Sequence, residues 1–85
     1  MTIFVKNTPD HAPIWDIEDY DGNWVGCATC FEGEGWMATV RLFHDEPETA
    51  LTIRGFNKTK DAFFAQVAEE QALRRINAFH ARGVL

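Results

Sequence analysis

The chain has 85 residues, a formal net charge of −5, 46% hydrophobic and 13% aromatic content, enough for one small core and too little for two. Acid is concentrated in its first half: between Asp10 and Glu48 ten carboxylates stand against Arg41 alone, whereas beyond Thr49 six bases face three acids. That distribution argues against nucleic-acid binding by the first half, because phosphate contacts require Lys and Arg, and two cysteines are too few for a disulfide framework.

The opening Met-Thr-Ile-Phe-Val-Lys lacks the basic and apolar regions of a signal peptide. No apolar run approaches the roughly 20 residues of a membrane span. A soluble, reducing, cytoplasmic setting is expected. Residues 2–6 form a short β-rich run, read as an edge strand.

A strand is expected over 13–20 and another over 23–32, joined at Asp21-Gly22, the strongest hairpin signal in the chain. A two-residue type I′ turn there pairs Asp19 with Trp24, Ile17 with Gly26 and Trp15 with Ala28. Opposed residues share a face. Trp15, Ile17, Trp24, Gly26 and Ala28 are therefore expected inside, and Asp16, Glu18, Tyr20, Val25 and Cys27 outside.

Residues 36–44 alternate cleanly, with Trp36, Ala38, Val40 and Leu42 on the buried side. A three-residue loop Gly33-Glu34-Gly35 pairs Cys30 with Ala38 and Ala28 with Val40. It keeps all apolar residues on one face, which is what sets register. Asp45-Glu46-Pro47-Glu48 then turns the chain into a strand over 49–56, with Leu42 opposite Leu51.

Residues 59–82 read as a helix. Thr59, at the end of Asn57-Lys58-Thr59, is its expected N-cap, Asp61 sits near the positive end of the dipole, and Gly83 follows the last turn. Phe64, Val67, Ala68 and Gln71 form one apolar stripe; Ala72, Ile76 and Phe79 form a second, and Leu73 belongs to neither. A helix that kinks near Gln71 or wraps a twisted sheet, with the N-terminal strand covering the second stripe, accounts for both; the sharper alternative is a partner surface of Leu73, Ile76 and Phe79. The resulting fold class is α+β: an antiparallel four- to five-stranded β-meander in a single domain, with one C-terminal helix packed on one face.

Cys27-Ala-Thr-Cys30 invites a redox or zinc reading. On one strand, however, the two cysteines differ in parity and point to opposite faces, so neither a disulfide nor a shared metal is within reach. An acidic loop follows the pair, where a thiol-activating helix N-terminus would be needed. Cys30 is expected as a small core residue and Cys27 as an outward thiol, with no cofactor and no metal.

The chain contains no Ser, and it has no phosphate-binding Gly motif and no nucleophile elbow. A non-enzymatic role is expected. The outer sheet face places Tyr20, Val25, Met37 and Phe43 in an apolar centre rimmed by Asp16, Glu18, Arg41 and Arg54, the arrangement of an interface core. The acidic turn of Asp45, Glu46 and Glu48 is a second binding candidate, suited to a basic partner.

These features lead to an acidic protein-binding module without direct nucleic-acid or membrane contact. Its size and charge suit the class of phage or mobile-element inhibitors that block a basic, nucleic-acid-binding groove of a host complex. A structural homodimer and a Cys-x-x-Cys redox or zinc-dependent regulator are the alternatives.

Overall fold

The computed structural model describes residues 4–7 and 14–83; Thr2, Ile3, Asp10 and Pro13, used above, lie outside these residues. Five strands, β1 (Phe4–Asn7), β2 (Ile14–Glu18), β3 (Trp24–Phe31), β4 (Gly35–Arg41) and β5 (Ala50–Gly55), form one antiparallel sheet in sequence order. One 22-residue helix, α1 (Lys60–Ala81), crosses a single face. The meander and its C-terminal helix are those expected from alternation and turn chemistry. Among the described residues, no helix is long and apolar enough to cross a membrane.

The Thr59 hydroxyl accepts the Ala62 N–H at 3.2 Å, which caps the helix as expected. From there α1 lays Phe63, Val67 and Gln71 on the sheet at i, i+4 spacing. Phe63 stacks on Trp36 at 5.6 Å between ring centroids, while Phe64 meets the edges of Trp36 and Trp15 at 5.5 and 6.4 Å. Beneath them lie Ile17, Val25, Ala28, Ala38, Val40 and Ile53, all buried. The buried stripe differs from the expected one in being headed by Phe63, and the helix runs unbroken through Gln71. β1 pairs with β2 at the sheet edge, and Leu73 and Ile76 stay exposed on the outer side of the helix.

The first hairpin departs from expectation. Its turn is not type I′, because only Gly22, at φ +84°, is left-handed. Instead Gly22 N–H donates to Asp19 O at 3.0 Å and Asp19 N–H donates to Asn23 O at 2.9 Å, a type I turn closing on a left-handed glycine. A bulge follows, so that Glu18 faces Trp24 while Ile17 still faces Gly26. The extra residue, Val25, turns inward to complete burial, and Trp24 turns outward, 46% exposed. Both therefore lie on the faces opposite to those expected. Gly26 has no room for a side chain there, since a Cβ would stand 1.9 Å from the Thr39 carbonyl oxygen.

The other two hairpins each slip by two residues, which preserves the faces. The β3–β4 turn is made by Glu32-Gly33-Glu34, with Glu34 N–H donating to Phe31 O, so Cys30 faces Trp36 and Ala28 faces Ala38. At the β4–β5 connection the Thr49 hydroxyl accepts the N–H groups of Leu42 and Phe43 and donates to Glu46 O at 2.7 Å. This knot ends β4 at Arg41 and brings Val40, not Leu42, opposite Leu51.

Candidate protein-binding surface

With α1 on one face, the other face of β2–β5 carries no described element. Its residues follow from the register in rows. Ile14, Thr29, Met37 and Arg54 form one row, and Asp16, Cys27, Thr39 and Thr52 the next. Glu18 with Trp24 and Arg41 with Ala50 make a third. Phe31 and Gly35 extend it at the opposite end.

At the bulged end, the Trp24 indole N–H donates to Asp16 Oδ1 at 3.1 Å, and the Arg41 guanidinium lies 5.2 Å from the Trp24 ring centroid. Arg41 is held in turn by donating to His44 O at 2.9 Å. Turning outward therefore gives the indole N–H an acceptor and the ring a cation, neither of which an apolar interior supplies. At the other end a cleft of about 410 Å³ is lined by Phe31, Glu34, Trp36, Met37, Arg54 and Phe56. Phe31 and Phe56 are exposed, Phe56 to 68%.

Of the expected interface residues, Asp16, Glu18, Met37 and Arg41 do share this face, and Tyr20 is exposed on the adjoining turn. Val25 does not belong to it, being fully buried by the bulge. Phe43 does not either. Its ring packs edge-on against Phe79 at 5.3 Å, with Arg75 and Arg82 stacked at 4.9 and 4.5 Å. It sits under the helix C-terminus because the Thr49 knot ends the strand before it. Trp24, Phe31 and Phe56 are functional candidates that sequence reading did not bring forward. Phe31 was findable from its parity with Cys27; Trp24 was hidden by the bulge.

The acidic turn is partly engaged. Glu46 forms two hydrogen bonds with the Arg82 guanidinium, at 2.6 and 3.1 Å, and these, with Glu48 and Asp45 nearby, raise the Arg82 pKa further. Asp45 and Glu48 remain exposed. On the first turn, burial of the Asp19 carboxyl opposes its charge. Donation from the Asn23 backbone and side chain and from the Asp21 N–H, together with the field of His44, outweighs that and lowers its pKa.

Cys27 and Cys30 are both free thiols on opposite faces. Cys30 is exposed rather than packed, because the two-residue slip carries it to the end of the sheet opposite Trp36. Among the described residues no group of three His, Cys, Asp or Glu side chains is arranged to hold a metal ion. Comparison with models of known families, with curated proteins and with solved structures finds no match to this chain.

Proposed function

We propose that this protein is a non-enzymatic protein-binding module whose working surface is the outer face of β2–β5. One observation carries the reading: exposed Trp24 and Phe31 stand at the two ends of a face whose middle is Cys27, Thr29, Met37 and Thr39. The aromatics at its ends are larger apolar groups than a solvated sheet face, polar in its alternation, ordinarily exposes. Large aromatics around small and apolar residues, with charges displaced to the margins, are the composition of an interface. The acidic turns at the sheet ends, with Asp21, Glu32, Glu34, Asp45 and Glu48 exposed, favour a partner with a basic rim and would accelerate its approach.

The test is capture of partners from a lysate of the producing cell by immobilised protein. Met37→Asp places a charge in the centre of the face and should eliminate specific capture, while Leu73→Asp, on the outer side of the helix, should leave it intact. The reverse pattern would move the working surface to the helix and refute the assignment.

A further inference from the structure

β5 is the last strand of the sheet, and among the described residues no strand lies beyond it. Leu42 N–H donates to Thr49 O at 3.3 Å across a directly opposed pair, which fixes the residues of β5 whose backbone turns to β4. By alternation these are Leu51, Ile53 and Gly55, whereas Ala50, Thr52 and Arg54 turn their N–H and C=O groups to the open edge. Ala50, Thr52 and Arg54 are all exposed.

This edge is capped at both ends. Ala50 N–H donates to the Pro47 carbonyl in the turn before the strand. Arg54 O accepts Gln66 Nε2 at 3.2 Å, and the same amide nitrogen donates to Glu70 Oε2 at 3.1 Å. Between the caps stand an acceptor at Ala50, a donor and an acceptor at Thr52, and a donor at Arg54, with no partner among the described residues. An uncovered set of backbone groups of this kind is a template for one more strand.

We propose that the β5 edge takes an extended peptide segment of a partner protein, running parallel to β5 and centred opposite Thr52. In a parallel ladder each residue bonds to the residues before and after its opposite number. The guest residue before the centre then donates to Ala50 O and accepts from Thr52 N–H; the residue after it donates to Thr52 O and accepts from Arg54 N–H. Every open group is used, and the capped groups, Ala50 N–H and Arg54 O, are those that would come next at either end. An antiparallel guest makes both bonds to Thr52, but its residues two positions away find Ala50 N–H and Arg54 O engaged, so a guest group is left unpaired at each end. That loss outweighs the small advantage of antiparallel ladders. The β5 of a second copy meets the same obstacle, because a closed two-fold pairs edge strands antiparallel.

Side chains of the guest follow the pleat. Its centre falls beside Thr52 on the outer face, and its next outward residue falls beside exposed Arg54, where an acid is favoured. The residues flanking the centre fall beside half-buried Leu51 and buried Ile53 on the α1 face, where β-branched apolar side chains fit. This edge is separate from the outer face, and Met37→Asp leaves its backbone groups in place.

The experiment is a nuclear magnetic resonance titration of the isotope-labelled protein with the peptide acetyl-Val-Thr-Val-Glu-amide, carried to millimolar concentration. The expected result is a saturable shift of the Thr52 and Arg54 amide protons, with slowed hydrogen exchange at both. A nitroxide on the peptide N-terminus should broaden the Ala50 signal more than that of Gly55, as parallel pairing requires. N-methylation of either valine, whose N–H faces β5, should weaken binding about tenfold or more, whereas N-methylation of the threonine, whose N–H faces away, should leave it unchanged. Thr52→Pro removes a donor at an edge position where proline is tolerated. It should weaken binding to the same extent, and circular dichroism checks that the variant is folded.

Absence of a saturable shift at Thr52 and Arg54, broadening strongest at Gly55, or binding indifferent to N-methylation of the valines overturns the inference. None of these results touches the assignment of the outer face. That assignment falls only if Met37→Asp still captures the partners of the unaltered chain.

Discussion

Replacing Gln71 with methionine should stabilise the domain. Gln71 is 0% exposed and lies in the middle of the buried helical stripe. Its amide donates to the Arg41 carbonyl at 3.5 Å, the outer limit of a hydrogen bond, and its Oε1 has no protein partner. Leaving a buried carbonyl unpaired costs about 1–3 kcal/mol, whereas so long a hydrogen bond contributes at most about 0.5–1 kcal/mol. Methionine matches glutamine in length and branching, so the site neither opens a cavity nor overpacks. The net expectation is a gain of about 1 kcal/mol, which for a chain of this length raises Tm by roughly 4–8 °C. Urea unfolding with an unchanged m value, paired with a thermal melt, measures it. Equal or lower stability would show that Oε1 is satisfied, by an internal water for instance, and that the polar group is not a cost to this core.

Phe43→Ala should destabilise by about 2–3 kcal/mol and speed hydrogen exchange in the last two turns of α1, because it removes the ring that Phe79, Arg75 and Arg82 pack against; protection unchanged from the unaltered chain would contradict that anchoring. Cys30 should react with a thiol reagent faster than the half-buried Cys27, a ratio that peptide mapping after brief labelling reads directly. Asp19 has a folded pKa below its unfolded value, so its contribution is complete above the unfolded value of about 3.9 and is lost as pH falls through the folded one. Asp19→Ala should accordingly cost about 1 kcal/mol at pH 7, with the gap to the unaltered chain closing toward pH 2; a gap independent of pH would mean the turn is held by something other than this carboxylate.

Much of the architecture was legible in the residues themselves. Alternation in Trp36-Met-Ala-Thr-Val gave β4 and its buried side, Thr59 and Gly83 bounded the helix, and the glycine-containing turns separated the strands. These signals are local: each depends on side-chain period or on the conformations that a few neighbouring residues prefer. The two register slips did no harm to face assignment, because a shift of two residues conserves parity.

What only the tertiary structure decided is which side of the molecule Trp24, Val25 and Phe43 belong to, and that Cys30, on its expected face, lies exposed at the sheet end. A single bulge reverses the facing of every residue on its far side within the strand, and nothing local distinguishes Trp24-in from Val25-in. The choice is settled by the acceptor on Asp16, the cation on Arg41 and the space under α1. Phe43 follows the same logic: its strand-like parity lost to a hydrogen-bonded knot at Thr49 and to aromatic and cationic partners more than 30 residues away. Long-range packing selects among locally equivalent conformations, and the candidate interface is the set of residues that this selection leaves facing outward.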